Sequence, residues 1–163
     1  DLEWTIIRPT MIYGTPDDRN LWRLLRYLRR SPVVPLPGGG QHLQQPVHVA
    51  DLALAIVEAT ERPDTIHTAI DVAGPQAHTF RDIVTMSAAA VGRKPLLVPV
   101  PVNPVIRSLR FLERRGIQLR LKAEQFERLT EDKAFDISPA IDLLDYRPRP
   151  FDVGIAQEAA ISP

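Results

Sequence analysis

The chain alternates between apolar spacing typical of helices and apolar runs typical of strands. Trp4–Arg8 is β-prone and largely apolar, which is the pattern of a buried strand. Leucines at i, i+3, i+4 and i+7 predict an amphipathic helix over Leu21–Arg30. Strands that alternate with helices predict the α/β class. The other predicted elements are an extended piece at Val47–Val49, a helix from Asp51 to about Thr60, a strand at Thr68–Val72, a helix from Thr79 to Gly92, an edge strand or extended loop at Leu96–Pro101, and helices at Val105–Arg115, Ala123–Glu131, Ser138–Leu144 and Phe151–Ala160.

The first residues of the chain indicate whether it is a complete protein or a part of one. Its first residue is Asp1 rather than an initiator methionine, and the apolar strand follows almost at once. A buried strand needs neighbours on both sides, and the remaining sequence supplies few of them. We therefore expect the chain to be the downstream part of a longer protein.

Composition narrows the possible function classes. With 163 residues, 44% of them hydrophobic and 25% charged, the chain has the composition of a globular protein that buries a core. Its 20 Lys and Arg balance 20 Asp and Glu, which argues against a nucleic-acid binder. The absence of cysteine excludes disulfides, thiolate metal sites and cysteine nucleophiles. No apolar run approaches the ~20 residues of a membrane span and no signal peptide is evident, so we expect a cytoplasmic location.

The sequence contains no complete motif for phosphate binding or nucleophilic catalysis. Gly38–Gly40 begins like a dinucleotide fingerprint, but Leu43 occupies the place of the third glycine and no helix follows directly. A flexible loop rim is the favoured interpretation of this segment. The G-x-S-x-G, H-E-x-x-H and P-loop motifs are absent.

Two groups of side chains leave alternatives open. His42 and His48 flank the glycine loop and could meet over a ligand, although a solvated loop histidine and a packed strand histidine are favoured. Two arginine clusters on predicted helices could bind phosphate or an acidic partner, although a solvated polar face is favoured for both. The clusters are Arg23, Arg26, Arg29 and Arg30, and Arg107, Arg110, Arg114 and Arg115.

Four segments, in this order, resemble the extended and atypical short-chain dehydrogenases/reductases, and above all the NAD-dependent epimerase/dehydratase group. Each segment alone is a weak signal, but their order and spacing together are specific. The atypical members of the group, which include an accessory subunit of respiratory complex I, are the most similar. The segments are Trp4–Gly14, Pro37–Gln41 continuing to the V-H-V-x-D pattern of Gln45–Ala53, Asp71–Val84, and Asp145–Phe151.

The resemblance implies the C-terminal part of an NAD(P)-binding Rossmann fold, a doubly wound parallel sheet, with its smaller substrate-binding region. Residues 1–62 would form the end of the Rossmann part with the glycine loop, and residues 63–163 mainly the substrate-side region. Proton transfer in this family uses a Tyr-x-x-x-Lys pair beside NAD or NADP. In this chain no tyrosine is followed four residues later by lysine, and the glycine fingerprint is missing. Both would lie upstream, so we expect no catalytic residue and no activity in this chain alone.

The resemblance also assigns candidate binding residues. Pro9 and Thr10 match the turn that lies beside the nicotinamide, so they are the predicted cofactor contacts. Met11 and Tyr13 match positions beside the substrate. Met11 stands where many sugar-nucleotide epimerases have asparagine, and its apolar side chain favours a less polar substrate.

The glycine-loop segment adds two further predicted substrate contacts, Gln44 and His48. Many sugar-nucleotide epimerases carry, near the position of Gln44, an arginine that contacts the nucleotide. An amide does not replace a guanidinium against phosphate charge, which again argues against a nucleotide sugar.

Three functions follow as expectations. The first is the substrate-side portion of an NAD(P)-dependent epimerase, dehydratase or oxidoreductase that acts on a small molecule. The second is a non-catalytic NAD(P)-binding redox sensor or assembly subunit of the same fold. The third is an interaction module that uses the arginine-rich helices. The expected partners are a small-molecule substrate, the upstream Rossmann part and a second copy of the chain.

Overall fold

The computed structural model describes residues 2–16, 18, 20–115 and 130–162. Within these ranges short strands alternate with helices, so the predicted α/β class is confirmed. The strands are β1 (Thr5–Pro9), β2 (Ile12–Tyr13), β3 (Val33–Pro37), β4 (Leu43–Gln44), β5 (Val47–His48), β6 (Thr68–Val72), β7 (His78–Thr79) and β8 (Leu96–Val100). The helices are α1 (Leu21–Arg30), α2 (Val49–Glu61), α3 (Phe80–Ala90), α4 (Val102–Arg114), α5 (Ser138–Leu144) and α6 (Phe151–Ile161).

The described strands form pairs, most of them parallel. β1 pairs with β6, β2 with β5 and β3 with β8 in parallel, whereas β4 and β7 are antiparallel. Each parallel pair joins strands that are distant in sequence, as a helical crossover requires. β8 is an edge strand, as predicted, and its proline lies where the strand needs no second partner.

Most predicted helices have the expected bounds. α1 and α5 match their predictions, and the α1 leucine stripe faces the interior with Leu21, Leu25 and Leu28 buried. α2 begins two residues earlier than predicted, because the His48 side chain accepts the Ala50 N–H and caps the helix there. Residues 123–129 of the helix predicted over Ala123–Glu131 lie outside the described residues.

The core consists of three adjoining apolar clusters that hold the strand pairs together. One lies between β6, α2 and α5, a second between α1, α3 and α6, and the third between α1, β3 and α3. Tyr13 at the end of β2 belongs to the second cluster, where it packs among residues of α1 and α6. The carboxyl ends of β1, β2, β5 and β6 therefore rest on a packed framework.

The expectation that β1 is a buried strand is wrong for this chain. β1 forms as predicted, but Ile6 is 49% exposed and Trp4 just before it is also exposed. Leu54 and Val57 on α2 are exposed as well, and a groove of about 580 Å³ opens between Trp4, Ile7 and α2. β6 covers one edge of β1, and the described residues place no strand along its other edge.

We expect the chain by itself to self-associate, because an apolar strand edge invites pairing with another chain. Sedimentation velocity at increasing concentration should show a growing share of dimer or larger species. Ile6→Lys should lower the association constant by at least about tenfold, since a lysine on an edge strand opposes pairing. Val153→Lys is the matched control, because Val153 is 46% exposed on α6, a different element. A monomer with a sharp, concentration-independent melt would contradict this expectation.

Candidate functional site

The turn after β1 is fixed at the carboxyl ends of β1 and β6. The Thr10 N–H donates to the Val72 carbonyl at 3.1 Å, and the Thr10 hydroxyl donates to the Gln45 carbonyl at 2.5 Å. Pro9 ends β1 with its φ restricted by the ring, and it is exposed. In open α/β sheets ligands bind outside the carboxyl ends of the strands, so Pro9 and Thr10 occupy the expected position for a ligand contact.

A buried amide ties this turn to the neighbouring loops. The Gln45 side chain donates to the Gly74 carbonyl at 2.8 Å and accepts the Phe135 N–H at 2.8 Å. Any side chain at Gly74 would collide with the Pro46 carbonyl, so the two backbones approach closely only because residue 74 is glycine. The Tyr146 hydroxyl donates to the Ala73 carbonyl at 2.9 Å and closes the same arrangement.

Tyr13 and His48 form a packed aromatic pair beside the turn. They are register partners in β2 and β5, and their rings meet edge to face with centroids 5.2 Å apart. The Phe151 ring lies 5.4 Å from that of Tyr13. Gly14 leaves room for the imidazole and Gly154 for the phenol hydroxyl, since a Cβ at either position would clash. This wall is therefore rigid.

Burial keeps both members of the pair neutral. It lowers the pKa of His48, and the nearby Arg149 guanidinium lowers it further, against the opposing effect of Asp51. Because Nδ1 of His48 accepts the Ala50 N–H at 3.2 Å, the neutral ring carries its proton on Nε2. Burial also raises the pKa of Tyr13, with a further contribution from Asp51. Both rings are therefore packed in the interior as neutral groups.

Asp51 and Arg149 form a buried ion pair behind the wall. The Arg149 Nη2 lies 2.7 Å and its Nε 3.0 Å from Asp51 Oδ1, and the Arg149 backbone N–H donates to Oδ2 at 3.0 Å. The remaining Arg149 nitrogen, Nη1, donates to Gln157 Oε1 at 2.8 Å. The pair therefore joins the first turn of α2 to the segment that enters α6, across 98 residues of sequence.

Glu158 lies in the interior, on the buried side of α6. Among the described residues neither carboxyl oxygen has a well-formed hydrogen bond, and the Gly14 amide is a nearby donor. Burial, together with the negative charge of Asp18 and against the opposing effect of the Gly14 amide, raises the pKa of Glu158 to about 7. Glu158 is close enough to Tyr13 to raise the pKa of that hydroxyl too.

Gln44 is buried and turned toward the chain that returns after α4. Its amide donates to the Glu131 carbonyl at 3.0 Å. Next to it, the Leu43 N–H donates to Asp132 Oδ1 at 2.8 Å, and His42 Nδ1 lies 3.3 Å from the same carboxylate. These contacts clamp residues 131–132 onto β4.

The structure brings together some of the predicted site residues and separates others. Tyr13 and His48 are in contact, and half-buried Met11 packs against the cluster that contains Tyr13. Gln44 is engaged with Glu131 instead. His48 is packed, as the favoured interpretation expects, whereas His42 is half-buried and pairs with Asp132 instead of being a free loop residue.

Sequence reasoning missed the two buried charged features of the site. Asp51 was assigned only to the start of a helix, although it is the acidic residue of the V-H-V-x-D pattern and Arg149 is a basic residue of the tail pattern. Glu158 follows Phe151 and Ile155 at the i, i+4, i+7 spacing of an apolar stripe. The available signal was a charged residue inside a segment that is otherwise typical of packed structure: Asp51 in the V-H-V-x-D pattern and Glu158 in the apolar stripe of α6.

Two absences hold within the described ranges. No cluster of three or more His, Asp or Glu side chains is able to hold a metal ion there. Nor does any helix in that part of the chain have the length and apolarity needed to cross a membrane.

No family model matches the chain, but its sequence is similar to that of curated proteins. It is 29% identical over 109 residues to NADH dehydrogenase (ubiquinone) 1 alpha subcomplex subunit 9, mitochondrial, of Arabidopsis thaliana, a match that covers 66% of this chain and 26% of the relative. It is 32% identical over 101 residues to the protein of the same name from Mus musculus, covering 61% of this chain and 26% of the relative. The match thus spans about a quarter of the length of these relatives.

The fold is that of nucleotide-dependent epimerases and related proteins. The epimerase Mth375 of Methanothermobacter thermautotrophicus superposes with a TM-score of 0.72 at 16% identity, over 98% of this chain and 43% of that one. UDP-glucuronic acid 4-epimerase of Bacillus cereus in complex with NAD gives 0.65 at 20% identity, over 95% and 43%. RMD of Pseudomonas aeruginosa with NADPH gives 0.65 at 11% identity, over 94% and 46%.

These findings confirm the resemblance to the extended short-chain dehydrogenases/reductases. They also confirm the predicted fold, a portion of a Rossmann-type α/β protein, because the chain superposes almost completely on less than half of each solved structure. The particular residues that would contact a ligand stay predictions.

Proposed function

We propose that this chain is the C-terminal, substrate-side portion of an NAD(P)-dependent epimerase, dehydratase or oxidoreductase of the short-chain dehydrogenase/reductase type. One observation carries the proposal: the parallel β1–β6 pair ends in the Pro9–Thr10 turn directly beside the Tyr13–His48 wall. A turn for the nicotinamide and a wall for the substrate would then share one edge of the sheet. The cytoplasm remains the expected location.

The chain offers only part of a dinucleotide site. The three glycines Gly38–Gly40 all have positive φ, but they form a short turn and do not open a helix whose N-terminus could hold a pyrophosphate. A side chain at Gly40 would press on the Arg81 backbone, so this glycine serves close packing. The residues present therefore fit the nicotinamide end of the cofactor and not its phosphates.

The substrate wall favours an uncharged or weakly polar ligand. Met11 contributes apolar surface, and the residues that support it from behind, His48 and Tyr13, are 9% and 1% exposed and neutral. Gln44, at the position that resembles the nucleotide-contacting arginine, is bound to the Glu131 carbonyl. An arginine-free wall gives no charge partner for a diphosphate.

A non-catalytic NAD(P)-binding subunit of the same fold is the second candidate. The observation in its favour is that the sequence similarity is to subunits of NADH dehydrogenase, whereas the likeness to the epimerases is at fold level. Such a subunit would retain the packed wall and lose the proton-transfer pair. The partners of the whole protein would then be other subunits.

We expect this chain alone to bind NADH and NADPH weakly or not at all. The chain lacks the glycine-rich turn and helix N-terminus that bind a pyrophosphate, and contacts at the Pro9–Thr10 turn alone would contribute little binding energy. Calorimetric titration of each nucleotide into the chain should give no saturable heat. A longer polypeptide that includes the residues encoded upstream should bind. Micromolar binding by the chain alone would contradict the proposal.

The same longer polypeptide separates the two candidates. An intact Tyr-x-x-x-Lys upstream, with nucleotide reduction or oxidation in the presence of a ketone or alcohol, supports the enzyme. Nucleotide binding without that pair and without turnover supports the non-catalytic subunit. No nucleotide binding by the longer polypeptide would contradict both.

A further inference from the structure

α4 concentrates positive charge in a chain whose total charge is zero. Residues 102–115 contain four arginines and one glutamate. At 100° per residue, Arg107, Arg110, Arg114 and Phe111 fall within an arc of about 100° on one side of the helix. Charge and an aromatic ring thus share one face of α4.

That face points away from the protein. On the opposite side Val102 and Val105 are half-buried, and Val102 lies against Gly38 of the glycine loop. Phe111 is 54% exposed, and the Arg115 guanidinium lies over its ring, 4.6 Å from the centroid. More than half of Phe111 is therefore open to solvent on the same face as the arginines.

The second arginine-rich helix provides an internal comparison. α1 carries Arg23, Arg26, Arg29 and Arg30, but its apolar stripe is buried except at Leu24, which is half-buried, and Arg29 donates to the Ala159 and Ser162 carbonyls at the end of α6. α1 is therefore an ordinary surface helix, as the favoured interpretation of its cluster expects. No described side chain of α4 is buried.

We propose that α4 is an interfacial helix that docks on an anionic phospholipid surface. Arg107, Arg114 and Arg115 contact the headgroup phosphates, and Phe111 enters the boundary of the acyl chains. A cluster of arginines on an exposed helix face is attracted to such a surface, and an aromatic ring on the same face adds apolar contact at the lipid boundary.

Flotation of the chain with vesicles tests this docking. Vesicles of equal parts phosphatidylcholine and phosphatidylglycerol should bind it, and vesicles of phosphatidylcholine alone should not. High salt should weaken the binding, because the attraction is electrostatic. Equal binding to both vesicle types, or no binding to either, would overturn the proposal.

Variants on the two helices locate the contact. Arg107→Glu with Arg114→Glu should lower the bound fraction at least about tenfold. Arg23→Glu with Arg26→Glu on α1 makes the same change in net charge and should leave binding near that of the unaltered chain. Equal losses in the two pairs would show a general charge effect and overturn the proposal.

Further variants and a polyglutamate control distinguish lipid binding from binding of other anions and from loss of the fold. Arg107→Lys with Arg114→Lys should retain binding, since lysine is also attracted to an anionic surface. Phe111→Ser should weaken binding severalfold with an unchanged circular dichroism spectrum, because a dissolved anion makes no use of the ring. Retention of polyglutamate with no retention of vesicles would assign the face to an acidic protein and overturn the proposal.

Discussion

Asp51→Asn is expected to lower the free energy of unfolding by about 3 kcal/mol, because it removes the buried carboxylate of an ion pair and leaves the half-buried Arg149 charge without its partner. The side chain of Asp51 is 8% exposed and that of Arg149 26% exposed. The Arg149 backbone N–H also loses a charged acceptor. Urea unfolding should show the loss directly, and the melting temperature should fall by roughly 6–12 °C.

The chain supplies a matched control for this change. Asp71 accepts two hydrogen bonds from Arg8 across β1 and β6, at 2.8 and 2.9 Å, and the donors are again Nε and Nη2 of the guanidinium. That pair is more exposed, at 27% for Asp71 and 57% for Arg8. Asp71→Asn should therefore cost less than about 1 kcal/mol. Similar losses for the two substitutions would contradict the assignment of Asp51 as a buried anchor.

A double-mutant cycle shows whether the two side chains act together. Asp51→Asn with Arg149→Gln should cost less than the two single changes added together, because the second change removes the charge that the first leaves unpaired. The pair anchors the start of α2, where His48 caps the helix and packs on Tyr13. Loss of the anchor should also increase amide exchange at Ala50.

Glu158→Gln is expected to abolish a pH-dependent loss of stability. The pKa of Glu158 in the folded chain, about 7, lies above its ordinary value of 4.5, so protonation favours the folded state. Its contribution is complete below pH 4.5 and is lost as the pH rises through about 7. The loss amounts to about 3 kcal/mol.

Urea unfolding between pH 5 and pH 8 measures this effect. The unaltered chain should lose stability relative to Glu158→Gln as the pH rises, so that the variant is the more stable of the two at pH 8. The difference isolates Glu158 from His48, whose lowered pKa has the opposite dependence. Glu61→Gln, an exposed position on α2, is the matched control and should leave the profile unchanged. Parallel profiles for the chain and Glu158→Gln would contradict the assignment.

The local elements could be predicted because their signals are local. The α1 leucines mark a stripe that any packing partner would bury, and the strand Thr68–Val72 is bounded by turn residues on one side. β3 was missed because Pro35 and Pro37 argue against a strand, and only its pairing with β8 shows that proline is tolerated at that edge.

The candidate site could be predicted only in outline. The resemblance located the Pro9–Thr10 turn and the Tyr13–His48 pair, because these residues lie within short segments. It did not show that Gln44 turns toward Glu131, or that Asp51 meets Arg149, because those contacts join segments that are more than 80 residues apart. The free edge of β1 could not be predicted either, because the described residues contain no second strand that pairs with it.

Hydrogen exchange at the β1 amides tests the central claim most directly. The claim is that this chain is the C-terminal portion of a longer fold, in which a further strand pairs with the free edge of β1. Successive amides of a strand point to opposite edges, so only some of the amides of Ile6, Ile7 and Arg8 point away from β6. In the chain alone, those amides should exchange rapidly. When the residues encoded upstream are included, the same amides should become protected at least about a hundredfold, as in a central strand. Equal exchange in the two polypeptides would contradict the claim.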